Sequence, residues 1–296
     1  HYYIVENGES FYLHAGESVP IEDFEVPRVR HNFKETSDDK AAWDSLMKAI
    51  AEGIGSGEMT KVVSSREVEF TSDTPYNVAS ILANLVDNNP NCFIFGYEKD
   101  GRTFVGASPE ILVRHRGSEI LSYALAGTAP KHGPNAWTKE QLLPDKKNLF
   151  EHNIVRDRIV HTMKTVTPEV TIGETGIMEL AHLYHLRTII TAKDSTKSLV
   201  EWARLLHPTP ALGGEPRKKA LALLQTYETH ERGMYAAPFG FMKDMGDGII
   251  VVAIRSALIM DHVLYAYAGC GVVADSDADE EYAETNNKMR TILEAL

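Results

Sequence analysis

Asp100-Gly101 stands between two β-rich runs, Cys92 to Tyr97 and Thr103 to Ala107, and an Asp-Gly pair so placed is a strong signal for a tight hairpin. Strands joined by so short a turn must run antiparallel. Similar runs recur along the chain. Lys61 to Phe70, Ile111 to His115 and Ile120 to Leu125 read as strands, as do Val170 to Ile172 and Leu186 to Ile190. Ile249 to Ile259 and Val263 to Tyr267 read as a second hairpin around Asp261-His262. Residues 1 to 35 look like short strands and turns, broken at Pro20 and Pro27. Helical spacing interrupts these strands. Trp43, Leu46, Met47 and Ile50 share one face of a helix, with Ser37 as N-cap and Gly53, Gly55 and Gly57 at its end. Val78 to Leu85, residues 143 to 166, Leu199 to Leu206, Arg217 to Thr226 and a last stretch from about Asp277 to Leu296 also read as helices. Runs of strands broken by a few helices imply an α+β fold rather than alternating βαβ units. No repeat or linker divides the chain, so residues 1–296 are expected to form one domain.

Composition narrows the function. No run of about 18 apolar residues is present, so no transmembrane helix is expected. His1 onward lacks the basic and apolar regions of a secretory signal, and the missing initiator Met suggests a trimmed or processed start. Cys92 and Cys270 are too few for a disulfide framework, so a reducing cytoplasm is the expected compartment. The formal net charge of -12 argues against a nucleic-acid partner. An anionic substrate would therefore need a local positive site built against the protein's own field.

Several residues stand in awkward places. Val155, Ile159 and Met163 are spaced by four, and Glu151 continues their row. A carboxylate on an apolar helix face needs a partner, either a salt bridge, solvent at the helix end, or a metal ion. In the last helix, Glu281, Glu284 and Lys288 border the stripe Met289, Ile292, Leu293, Leu296, and Ser276 with Asp279 resembles a capping box. A solvated charged edge with a Glu284–Lys288 pair explains that pattern as well as metal binding does, and periodicity alone does not choose between Glu281 and Glu284. Arg255 lies inside an apolar run, so it sits either on an edge strand or beside a carboxylate. Ala268-Gly269-Cys270-Gly271-Val272 and Leu125-Ala126-Gly127-Thr128 look like tight turns after strands, or glycine backbones that approach an anion. His182 and His185 make a poor zinc signature. Cys270 alone is better read as a small packed residue than as a nucleophile.

Nine segments carry a resemblance together. They are Lys61-Val-Val-Ser-Ser-Arg66, Gly106-Ala-Ser-Pro-Glu110, Leu125-Ala-Gly-Thr128, Glu151-His152, His207-Pro-Thr-Pro-Ala211, Arg232-Gly-Met-Tyr235, Ala253-Ile-Arg255, Ala268-Gly-Cys-Gly271 and Glu281-Tyr-Ala-Glu-Thr285 with Lys288. In this order and spacing the chain resembles the chorismate-utilising enzymes, from about residue 55 to the C-terminus; residues 1–54 match only weakly. The resemblance implies a chorismate-binding fold, with large, mostly antiparallel sheets forming a sandwich and helices packed outside. It implies Mg²⁺ held by Glu151 and Glu284, with Glu281 acting through water. Lys61 resembles the general base and Glu110 the general acid. Gly127, Thr128, His185, Tyr235, Arg255, Gly269, Cys270, Gly271 and Lys288 resemble the groups that bind the substrate.

Within the family, position 126 is Ala where aminodeoxychorismate synthases place a lysine nucleophile, and Lys61 is present where ammonia-using members typically lack a base for water. The loop from His207 to Gly214 is similar to that of isochorismate synthases. Ala237 and Cys270 depart from the Gly and Ala frequent at those positions. The implied reaction is isomerisation of chorismate to isochorismate, for menaquinone or siderophore synthesis, by a monomer or weak dimer. Salicylate synthase and a non-catalytic ligand-binding homologue are the alternatives.

Overall fold

The structure, a computed structural model, describes residues 2–6, 9–13, 26–243 and 246–296. Among these, the elements in chain order begin with the paired strands β1 (Tyr2–Glu6) and β2 (Glu9–Leu13), then β3 (Phe33–Glu35), α1 (Lys40–Gly55), β4 (Lys61–Ser72) and α2 (Val78–Asn88). β5 (Phe93–Lys99), β6 (Arg102–Ser108), β7 (Ile111–Arg116) and β8 (Glu119–Pro130) follow, then α3 (Lys139–Leu142), α4 (Lys146–Lys164), β9 (Val170–Glu179) and β10 (Leu183–Lys193). The rest is α5 (Leu199–Leu206), β11 (Gly214–Glu215), α6 (Arg217–Tyr227), β12 (Pro238–Met242), β13 (Gly248–Val252), β14 (Ser256–Met260), β15 (Val263–Val272) and α7 (Ala278–Leu293). Pro20 lies outside the described residues.

The fold is α+β, with two large antiparallel sheets. One has the order β12-β13-β7-β8-β10-β9; the other has β11-β4-β15-β14-β6-β5, and β3 also pairs with β4. A single apolar cluster joins the sheets. Phe95, Phe104 and Tyr267 come from one, Leu112, Val113 and Ile120 from the other, and Val155, Ile159, Met163 and Trp202 from α4 and α5. Phe95 of β5 lies 4.7 Å, centroid to centroid, from Phe239 of β12, so the contact crosses between sheets. α2 and α7 cover β4, β6, β14 and β15 through Ile81, Leu85, Met289 and Ile292. α1 and α6 cover the other end of β4 and β15.

The hairpins at Asp100-Gly101 and Asp261-His262 form as the turn residues require. Three expectations need correction. Ile249 to Ile259 is not one strand. β13 belongs to one sheet and β14 to the other, and the chain changes sheet at Arg255, whose φ is +51°. The two glycine segments are not turns. β15 runs straight through Gly269, Cys270 and Gly271, and β8 through Gly127, where a bulge opposite His185 and Leu186 is accommodated by a φ of +78°. The caps differ too. Asp39, not Ser37, precedes α1, while Ser37 Oγ accepts the Glu69 N–H. Asp277 caps α7 by accepting from Asp279 N and Glu280 N, so Ser276 is free for another task.

Candidate active site

The ends of β4 and β15, β8, β10, the first turns of α4 and the sheet-switching segment at Arg255 converge on one pocket. It encloses about 630 Å³, open mouth included. Its lining contains Lys61, Glu110, Thr128, Glu151, His185, Tyr235, Arg255, Gly269, Cys270, Gly271 and Lys288. Gly127, Glu281 and Glu284 lie outside that lining. Glu284 reaches the pocket edge through its 2.7 Å ion pair with Lys288, and Gly127 stands behind Thr128.

The positive side is built by burial. Arg255 is 5% exposed, and its left-handed backbone turns it inward. Among the described residues it has no carboxylate within ion-pair reach; its hydrogen bond goes from Nη2 to His185 Nε2 at 2.7 Å. Arginine only donates, so Nε2 must accept and the ring proton must sit on Nδ1, which is 3.0 Å from Thr128 Oγ1. Burial, with Arg255 and Lys288 nearby, holds His185 well below the usual histidine range, hence neutral. The Thr128 hydroxyl, accepting from Nδ1–H, keeps its own proton to donate. Lys288 donates to Gly269 O at 2.7 Å. Burial is the largest influence and opposes its ammonium, but the charge and hydrogen bond of Glu284, with Cys270 adding, leave its pKa raised. Tyr235 stacks on Tyr267, and burial pushes its phenol up to about 12.

Glu110 is the anomaly of the pocket. It is 3% exposed, and its Oε1 has no hydrogen-bond partner among the described residues. Burial pushes its carboxyl up to about 8, against the pull of Lys61, Lys288 and Arg255. It therefore carries a proton at neutral pH.

Lys61 begins β4, 1% exposed at its side chain, with Nζ 2.9 Å from Glu151 Oε1. Gly271 makes this closeness possible. A methyl group there would overlap the Glu151 carboxylate and come within 2.6 Å of Lys61 Cε. At Gly269 a methyl would press on Ser64 O and the Tyr235 hydroxyl. These glycines matter for close approach, not for turning. His152, fully buried beside Glu151, bridges α4 to the sheet. Its Nδ1 lies 3.2 Å from Ala126 O and its Nε2 2.7 Å from Thr188 Oγ1. Burial lowers its pKa to about 4, so the ring is neutral.

Glu281 and Glu284 now separate. Glu281, 4% exposed at its side chain, accepts from Lys147 Nζ at 2.9 Å and from Ser276 Oγ at 2.7 Å. Glu284 is 22% exposed at its side chain. Burial, then the Glu284 charge, with Glu151 adding, pushes Glu281 up to about 7 despite Lys147. Three carboxylates thus crowd one end of the pocket, each paired with a lysine. Among the described residues no group of three His, Cys, Asp or Glu side chains forms a ready-made metal cage. Hard carboxylate oxygens with space left for other ligands still suit Mg²⁺, which is bound through one or two carboxylates and completed by water or substrate.

Arg232, which the sequence marks only as the head of the segment to Tyr235 and without a role, lines the pocket. It pairs with Glu228, donates to Leu212 O and Val63 O at 2.7 Å each, and so ties the loop before Tyr235 to β4. The i, i+4 spacing of Glu228 and Arg232 was its available signal.

A family model described as "Chorismate binding enzyme" matches residues 17–296. The chain belongs to the chorismate-binding enzymes. Among members of this family, isochorismate synthase MenF of Bacillus subtilis is 36% identical over 264 residues, which is 87% of this chain and 56% of that protein. The chain thus spans little more than half that relative's length. The solved structure of MenF, the menaquinone-specific isochorismate synthase from Escherichia coli, superposes with a TM-score of 0.81 at 29% identity, covering 91% of this chain and 65% of that one. Anthranilate synthase component I from Streptococcus pneumoniae shares the fold at a TM-score of 0.76 and 22% identity, covering 94% of this chain and 62% of that one. No helix among the described residues of this chorismate-binding chain is long and apolar enough to cross a membrane.

Proposed function

We propose that this chain isomerises chorismate to isochorismate, adding water at C2 and expelling the C4 hydroxyl. One observation carries the reading: a single pocket holds a buried carboxyl that keeps its proton and a buried guanidinium with no carboxylate partner among the described residues. Chorismate supplies what both lack, carboxylates for Arg255 and a departing hydroxyl for Glu110. Arg255, Tyr235 and the Gly269–Gly271 backbone hold a substrate carboxylate; Thr128 donates a hydroxyl, and Lys288 supplies a second positive charge. Lys61 takes a proton from the attacking water, and Glu110 gives one to the leaving oxygen. An ammonium has no lone pair, so Lys61 must first give up a proton and its ion pair with Glu151, and as the neutral amine it then takes one from water. Ala126 in the pocket wall offers no nucleophile, and Lys61 in the same lining supplies a base for water. Glu151 and Glu284 would hold Mg²⁺, with Glu281 acting through water; when bound, the ion neutralises charge and orients the substrate. The names of the relatives favour this reading over others in the family. The product would feed menaquinone or siderophore synthesis.

Chromatography after incubation with chorismate and Mg²⁺ tests the proposal. Isochorismate should accumulate without pyruvate, EDTA should abolish turnover, and added Mg²⁺ should restore it. Pyruvate with fluorescent salicylate would indicate a salicylate synthase instead. Binding without turnover would indicate a ligand-binding homologue.

A further inference from the structure

We infer that Lys147 is a built-in competitor for the divalent cation, an ammonium that must leave the carboxylate cluster before the ion settles there. This rests on the proposed assignment of Glu151 and Glu284 as ligands. Each carboxylate of the cluster has its own lysine: Lys61 on Glu151 at 2.9 Å, Lys147 on Glu281 at 2.9 Å and Lys288 on Glu284 at 2.7 Å. Formal charges therefore balance without any ion. A divalent cation entering a balanced, half-buried cluster meets repulsion from three ammonium groups, and the arrangement relaxes only if one withdraws.

Geometry says which one. The Lys61 side chain is 1% exposed, and Lys288, at 13%, is also anchored on Gly269 O. Both are more enclosed than Lys147. Lys147 is 28% exposed at its side chain and sits one helical turn before Glu151 on α4. Its four-carbon stem can swing the ammonium into solvent without moving the helix. Glu281 would keep the Ser276 hydroxyl, 2.7 Å away. Lys147 also interacts with Glu284 and Glu151, so its departure lowers the positive potential at both proposed ligands.

Calorimetric titration of the whole chain with Mg²⁺ alone, at fixed ionic strength and without substrate, reads this directly. Lys147→Met should bind Mg²⁺ roughly tenfold more tightly than the wild type. Lys147→Arg should bind as the wild type does. Where heats are small, the Mg²⁺-induced rise in Tm should give the same ranking. A scaffolding or substrate-binding role for Lys147 predicts unchanged or weaker Mg²⁺ binding in Lys147→Met, and either result overturns the inference. Glu284→Gln separates the two levels of the argument. If it loses Mg²⁺ binding while Lys147→Met gains none, the competitor role falls and the ligand assignment stands. If it binds Mg²⁺ normally, the ligand assignment falls and takes the competitor role with it.

Discussion

At the scale of single residues, chemistry in this pocket depends on protonation states that neighbours impose. Glu110 is the sharpest case. Lys61→Ala or Glu110→Gln should lower kcat by roughly 10²–10⁴ while circular dichroism stays unchanged. The raised Glu110 pKa makes two further predictions. An acid that must start protonated gives kcat/KM a falling limb near pH 8, because that ratio reports the free enzyme. The same shift acts on stability. Between the ordinary value of 4.5 and about 8 the folded state holds more protons on this group than the unfolded state. Its contribution to stability therefore declines as pH rises through that window. Glu110→Gln removes the dependence, so its Tm relative to the wild type should climb from pH 5 to pH 8.5. A constant difference would mean that Glu110 is not held protonated. The segment Gly106 to Glu110 marked this residue in the sequence, but its state was not legible there. The state comes from burial in a pocket whose wall includes β10, β15 and the Arg255 switch, elements distant in sequence. Glu281 and Glu284 show the same limit. Helical periodicity could not rank them, because the difference lies in partners, Lys147 and Ser276 for one and Lys288 for the other.

At the scale of elements, the positions of strands and helices were readable and their continuity was not. Turn residues announced both hairpins, and apolar spacing announced α1, α2, α5 and α6. The apolar run of residues 249–259 hid a change of sheet, because both strands are buried and share one composition; only the left-handed backbone of Arg255 breaks them. Arg66 shows how elements are held in register around the site. Its Nε is 2.5 Å from Asp39 Oδ2, its Nη1 donates to Thr285 Oγ1 at 2.8 Å and Asn286 Oδ1 at 2.7 Å, and its guanidinium lies 3.6 Å from the Tyr282 ring centroid. One side chain thus joins β4, which carries Lys61, to α7, which carries Glu284 and Lys288. Arg66→Met takes the donor from Thr285 and Asn286 and leaves the Asp39 carboxylate its bond from the Tyr282 hydroxyl but no cation. The expected cost is about 3 kcal/mol, at the low end for a broken buried pair because Asp39 is partly exposed. Thermal unfolding should show Tm lowered by roughly 5–10 °C, and Mg²⁺ affinity should weaken as α7 loosens. Unchanged Mg²⁺ affinity despite a lowered Tm would confine Arg66 to a role in stability.

At the scale of the molecule, an acidic chain gathers Lys61, Lys288 and Arg255 into one pocket by folding them together from distant positions. That answers how a net charge of -12 can coexist with the proposed anion site. It also bears on where the catalytic unit begins. The motifs read in sequence begin only near residue 55, but the family model matches from residue 17, and α1, which ends at Gly55, packs behind the pocket wall. Trp43, Leu46, Met47 and Ile50 pack on Val62 of β4, Cys270 and Val272 of β15, and Ala220 and Leu224 of α6. The Trp43 indole donates to Ala278 O at 3.0 Å, and Lys40 pairs with Asp279 at 3.0 Å, so α1 also secures the first turn of α7. Burying four such side chains contributes about 6–12 kcal/mol, and folded chains commonly have a net stability of about 5–15 kcal/mol. A fragment starting at residue 56 should therefore fail to fold. Circular dichroism and gel filtration should find it unfolded or aggregated, with no turnover of chorismate. The reason is physical rather than catalytic: without α1, Cys270 and Val272 lose their cover, and the β15 segment that must hold Gly269 and Gly271 against Tyr235 and Glu151 faces water. A monodisperse, active 56–296 fragment would show instead that α1 is an accessory layer and that β4 is the true edge of the unit.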